Sequence, residues 1–241
     1  MSHSRKLREK IELVAPGMHR AIHAFWTHPR IHEIFPEFLF TTYCVGRSTV
    51  PLLELAYTTG STLREHDEVA GCIADYCTKH IPEERHHDEN VLDDLAVLGV
   101  TKESVARRIP PPTMAALIGV QYYWILNAHP IALLGYLEVL EGEPPIAEFL
   151  EEVIQRTGLP RKAFRTYFQH ADVDRKHRDD LHETIDRMPL SREHTSILAV
   201  SAFQTVELVR QTFEALVAAY PKEAAMKASD SLRSVQTRAM Q

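Results

Sequence analysis

Glycine is scarce in this chain, with only 9 among 241 residues. Sheets joined by tight turns draw on glycine for positive φ, so the shortage points away from an all-β design and toward helices. Cysteine is scarcer still: Cys44, Cys72 and Cys77 are the whole set. They form no C-x-x-C pair, and an odd, sparse set excludes a disulfide framework and suits reduced thiols in a cytoplasm. Cys72 and Cys77 stand five apart, on different faces of a helix, and read as small buried hydrophobes. A block of Lys and Arg is also missing, and the net charge is -6, so the electrostatic footprint of a nucleic-acid binder is absent. No apolar run reaches membrane-spanning length, and the charged stretch Ser2–Lys10 cannot serve as a signal-peptide core. The expected compartment is the cytoplasm and the expected partner a small molecule, with neither nucleic acid nor membrane involved.

What is present reads as helix after helix. Hydrophobic residues make up 44% and charged residues 25%, enough to bury a full core. Helical spacing runs through residues 5–27, 37–58, 63–80, 113–127, 131–141, 146–157, 160–187 and 191–219. Pro29 and Pro36 are expected to bracket a connector, Pro51 to kink or break its helix, and Gly60-Ser61-Thr62 to form a turn. Pro82 either kinks a continuous helix or opens a new one, but under both readings Glu84 and His87 share a helix face. No strand, repeat or linker is evident. The fold class is all-α, a single domain over residues 1–220, with residues 221–241 as a polar tail expected to fray.

Fourteen histidines are many, and their clustering matters more than their number. His170, Asp174 and His177 are spaced i, i+4, i+7, which places them in a band roughly 60° wide on one helix face. Far upstream, His80, Glu84 and His87 repeat the offsets and the His-carboxylate-His order. Between them, the apolar stretch Ile131–Glu141 carries Glu138 and Glu141, one turn apart. Imidazole and carboxylate without thiolate suit iron or manganese better than a structural zinc site. Two-metal helical sites draw such residues from several helices into a bundle interior. Tyr122, Tyr123 and Tyr136 are candidates to line a substrate pocket, with core packing as the competing use. His28, His32, His66, His129, His182 and His194 show no partner pattern.

Three segments carry a family resemblance: His170-x3-Asp174-x2-His177, Glu84-x2-His87 leading into Leu92-Asp-Asp-Leu-Ala-Val-Leu-Gly99, and Leu134-Gly-Tyr-Leu-Glu-Val-Leu-Glu141. The chain resembles the haem-oxygenase-like diiron oxidases and oxygenases, a helical superfamily that also contains thiaminase-like and pyrroloquinoline-quinone-synthase-like proteins. The resemblance implies a haem-oxygenase-like helical bundle and two ferrous ions, Fe(II), per chain. It implies O2 as co-substrate and an amino acid or amine-bearing metabolite as the molecule oxidised. The reactions implied are N-oxygenation, desaturation, C–C cleavage or decarboxylation. It selects Glu141 over Glu138 and gives the ligand set His80, Glu84, His87, Glu141, His170, Asp174 and His177. Many members carry Glu where this chain has His80, which adds a nitrogen donor here. A homodimer is a further expectation, and no motif specifies an electron donor. Two alternatives stand beside the oxygenase: an iron-binding or ferroxidase module without organic substrate, and a metal-free member using its histidines as acids and bases.

Overall fold

The structure, a computed structural model, describes residues 1–142 and 146–221, and the side chains of all of these except residues 172–175. The tail expected at residues 221–241 therefore lies outside the described residues, apart from Pro221. Among the described residues there are eleven α-helices and no strand, as an all-α chain requires.

Local chemistry sets many of the helix ends. In α1 (His3–Val14) Ser2 caps the N-terminus, and Pro16 then occupies the first position of α2 (Pro16–Trp26), where its missing N–H costs nothing. That proline divides what the periodicity reads as one helix over residues 5–27. Asp67 caps α4 (Glu68–Glu84), accepting the Ala70 N–H at 3.0 Å. Ser191 opens α11 (Arg192–Ala218) with a capping box closed by His194.

The largest departure from expectation is α3 (Ile31–Leu63), a continuous helix that carries Pro36 and Pro51 inside it and runs straight through Gly60. A proline in a helix interior costs about 3 kcal/mol. The buried face of α3, which includes Phe35, Leu39, Leu52, Leu53 and Ala56, outweighs that cost. Gly60 serves packing rather than turning: a Cβ there would lie 2.5 Å from the Ala70 carbonyl oxygen of α4. Gly135 plays the same part in α8 (Ala132–Glu141), where a Cβ would run into the Leu198 carbonyl of α11. These contacts let the helices lie close together. Around them Phe25, Trp26, Phe35, Phe38, Phe164 and Phe213 form a continuous aromatic cluster.

The connection after α4 corrects a second expectation. Pro82 sits inside the last turn of α4, which ends at Glu84. Arg85 is extended, His86 takes a left-handed φ of 71°, and α5 (His87–Val97) starts at His87. Glu84 and His87 thus belong to two helices, not to one face of a single helix. A left-handed non-glycine residue costs on the order of 1 kcal/mol, and this one redirects the chain between Glu84 and His87. After the short α6 (Lys102–Ala106) come α7 (Pro112–Asn127), α8 and α9 (Ala147–Thr157), and a 3-10 turn over Arg161–Phe164 leads into α10 (Arg165–Arg187). Asp94 of α5, fully buried, accepts the Thr166 N–H at 2.9 Å and so ties α5 to the start of α10.

Candidate metal centre

Buried His177 of α10 is the hub of a polar cluster in the interior. Its Nδ1 lies 3.5 Å from Glu84 Oε1 and 3.9 Å from Glu141 Oε2, and its Nε2 lies 3.5 Å from Glu83 Oε2. The His80 ring is 5.3 Å from the His177 ring, nearly perpendicular to it. On the far side, Glu84 Oε2 is 3.0 Å from His87 Nδ1, and the His87 and His170 rings are 5.4 Å apart. Four elements therefore converge: α4 with His80, Glu83 and Glu84, the start of α5 with His87, the end of α8 with Glu141, and α10 with His170 and His177. Asp174 falls on α10 between the two histidines, but its side chain lies outside the described residues.

Burying so many ionisable groups together is costly unless their charges are matched. Burial alone would raise the Glu84 carboxyl, yet His87, His177 and His170 outweigh it and hold the group ionised, below the usual range. Burial, and then the neighbouring His177, push His80 down to about 4, so it is a neutral imidazole at physiological pH. A neutral imidazole beside an ionised carboxylate is the form in which both groups coordinate metal. One detail favours an ion: His80 Nε2 is buried and has no hydrogen-bond partner among the described residues. An orphaned nitrogen of that kind is rare in a finished core and calls for a partner such as an ion or a water. The donor set, neutral nitrogen and anionic oxygen without sulfur, fits iron.

Glu138, the alternative to Glu141, is engaged elsewhere. It is 4% exposed, and both of its oxygens lie 3.0 Å from His182 Nε2. His182 stands five residues past His177, off the ligand stripe, so spacing gave no hint of this pairing. Spacing did hold a sign of two other residues. Glu83 is three positions after His80 and Tyr76 four before it, both within the same helical stripe. Tyr76 stacks on the His80 ring at 4.1 Å, and burial, followed by Glu141, raises its hydroxyl pKa well above the ordinary value. Tyr136 is buried, its hydroxyl lacking a hydrogen bond among the described residues, and burial and then Glu141 raise its pKa. Tyr122 is half-buried against the core. Tyr123 departs from the pocket expectation: it is 60% exposed on the surface of α7, edge-on to Trp124, because the core-facing side of that helix is the one carrying Met114, Leu117, Gln121 and Ile125. A polar cleft of about 470 Å³, whose lining includes Arg5, Arg8, Arg178 and His182, takes none of the candidate ligands as a wall.

A second group of two histidines and a carboxylate stands apart from the first. Asp67 Oδ2 lies 3.1 Å from His129 Nε2 and 3.6 Å from His194 Nε2. Here the other ring nitrogens are already used: the Ile131 N–H donates to His129 Nδ1 at 3.1 Å and the Ser191 N–H to His194 Nδ1 at 3.4 Å. A neutral imidazole that accepts at Nδ1 carries its proton on Nε2, and a protonated nitrogen has no lone pair for a metal.

Comparison with known proteins bears on both the fold and the chemistry. The sequence profile of a family described as iron-containing redox enzyme matches residues 66–232. No curated protein matches the chain. Among solved structures, the fold is similar to that of a domain of unknown function with a haem-oxygenase-like fold from Shewanella denitrificans OS217. That likeness has a TM-score of 0.70 at 18% identity, over 90% of each chain. It is similar also to a TenA homolog from Pseudomonas syringae pv. tomato DC3000, with a TM-score of 0.69 at 15% identity, over 87% of this chain and 91% of the other.

Proposed function

The chain belongs to the family of iron-containing redox enzymes, and from that premise we propose that it is a non-haem diiron oxidase or oxygenase acting on a small metabolite. The observation that carries the reading is the cluster around His177: imidazoles and carboxylates from four helical elements meet in the core, and His80 Nε2 is buried there with no hydrogen-bond partner among the described residues. The residues proposed to hold two ferrous ions are His80, Glu84, His87, Glu141, His170, Asp174 and His177. Bound iron would supply the electron transfers by which O2 is reduced and a C–H, N–H or C–C bond of the substrate oxidised.

The chain's own part is to prepare and shield that site. Asp94 and the left-handed His86 fix where His87 emerges relative to α10. Glu84, held ionised, offers one oxygen toward His87 and the other toward the His177 ring, so a single carboxylate positions both imidazoles. Tyr76 and Tyr136, with their hydroxyls kept protonated, close the apolar side and keep bulk water from the ligands. An amino acid or amine-bearing metabolite is the proposed substrate class, with the family resemblance as its support.

The test is anaerobic loading of the purified protein with ferrous ion, metal analysis, and oxygen uptake over a panel of amino acids and amines. Two irons retained per chain, and uptake that depends on one class of organic substrate, are the expected results. Iron oxidised at the same rate without any organic addition would instead support a ferroxidase. Protein that retains no iron would support the metal-free reading, toward which the fold likeness to a TenA homolog leans.

A further inference from the structure

Glu83 has no place in the ligand set that the spacing and the resemblance supply, yet its Oε2 faces both His80 and His177. This Oε2 is buried and makes no hydrogen bond among the described residues, although it lies 3.2 Å from His80 Nδ1 and 3.5 Å from His177 Nε2. One donor atom from each of His80, Glu83 and His177 lies within 4.8 Å of the others. Two ligand atoms each about 2.1 Å from one ion are separated by about 3.0 Å at a right angle and by about 3.4 Å at a tetrahedral angle. The spacing thus suits shared coordination, while the absent hydrogen bonds show that direct polar contact does not satisfy the oxygen. Its sister oxygen is fixed independently: Lys176 Nζ donates to Glu83 Oε1 at 2.8 Å, leaving Oε2 to act alone.

We infer that His80, Glu83 and His177 form a two-histidine, one-carboxylate metal subsite of their own, with Glu84 and Glu141 on the opposite edge of His177 serving the neighbouring subsite. The inference rests on the iron reading above and sharpens it by dividing the cluster in two. An imidazole that gives Nε2 to an ion keeps its proton on Nδ1. His177 Nδ1 faces Glu84 Oε1 at 3.5 Å and Glu141 Oε2 at 3.9 Å, so these carboxylates orient the ring. That outer carboxylate–imidazole arrangement is the common way a ligating histidine is aimed. Glu84, His87, His170 and Glu141 then remain for the second ion. Three protein donors on one ion leave positions open for O2 or substrate, which is the property a redox site needs and a storage site does not. The Glu83 side chain is 30% accessible, so this side of the cluster lies nearer solvent than buried His80 and His177.

The experiment uses the full chain, titrated anaerobically with Fe(II) and in parallel with Co(II), whose visible absorption reports coordination. Wild type is expected to take up two equivalents and Glu83→Gln one, the remaining equivalent binding within about threefold of its wild-type affinity. Lys176→Met, which frees Oε1 but keeps Oε2, is expected to retain both. Glu83→Gln holding two equivalents would overturn the subsite while leaving the iron reading standing. Wild type holding none would overturn both. Should Glu83→Gln lose its helical circular dichroism, a wild-type crystal soaked in Co(II) decides. An anomalous peak bounded by His80, Glu83 and His177 supports the subsite, and Co(II) bound only among Glu84, His87 and His170 overturns it.

Discussion

Among the described residues, two groups of two histidines and one carboxylate stand out, similar in composition and chemically opposite. At Asp67, His129 and His194, backbone N–H groups occupy both Nδ1 atoms, and both Nε2 atoms face a single carboxylate oxygen. Its hydrogen bonds close on themselves, clasping the start of α4, the link between α7 and α8, and the start of α11. At His80, Glu83 and His177, an imidazole nitrogen and a carboxylate oxygen are buried without hydrogen bonds among the described residues. The difference teaches that proximity of donors does not make a metal site. What distinguishes the two is where the imidazole protons must be, and that is decided by the backbone groups around each ring.

The comparison is broken most forcefully at its hub. His177→Ala should abolish iron-dependent oxygen uptake and lower bound iron by at least one equivalent while the helical circular dichroism stays nearly intact. Turnover that survives would remove His177 from the site. Next in size is the response to metal itself. Each ferrous ion at 100 times its Kd should stabilise wild type by ~2.7 kcal/mol, a rise in Tm of roughly 5–10 °C per ion for a chain of this length. The His177→Ala variant should lose at least one ion's share of that rise, and Asp67→Ala should keep all of it.

Asp67→Ala tests the clasp directly. It removes a helix cap and strands two imidazole N–H groups, a loss of about 1–3 kcal/mol by thermal melting. Iron content should not change, and a fall would show that the second group is a metal site after all. The clasp should also carry a pH signature. Burial lowers the His129 pKa below its ordinary 6.5 against the pull of Asp67, with His194 adding to the lowering and Glu193 opposing it. The unfolded chain then binds more protons than the folded one. The contribution is complete above pH 6.5 and is lost as pH falls from there through the lowered folded value. Protonation would set an N–H against the Ile131 N–H. His129→Gln should flatten stability over that acid range, and an unchanged slope would place the effect elsewhere. Smallest is His194→Ala, under about 1 kcal/mol, since its hydrogen bond to Ser191 is long and its Asp67 contact longer.

Much of this was legible in the residues. Periodicity alone showed helices from end to end, and the paired stripes drew attention to His80, Glu84, His87, His170 and His177, all of which the fold brings near one another. Missed elements fall into two kinds. Glu83 and Tyr76 lie within the stripe of His80, but outside the i, i+4, i+7 offsets that single out the other donors. His182 with Glu138, and Asp67 with His129 and His194, pair across 44 residues or more, and no local period can reveal such partners. The prolines misled in a consistent way. Propensity counts their local cost, about 3 kcal/mol, whereas the burial that repays α3 is spread over residues the window does not see.

By itself, then, the sequence determined helicity, the apolar faces and the supply of nitrogen and oxygen donors, because each follows from side-chain type and spacing along one helix. The tertiary structure decided which donors meet, which of Glu138 and Glu141 faces His177, and which histidine group has its protons fully spoken for. Those outcomes depend on backbone N–H groups and carboxylates arriving from distant segments, and a ring nitrogen has no fixed role until they arrive.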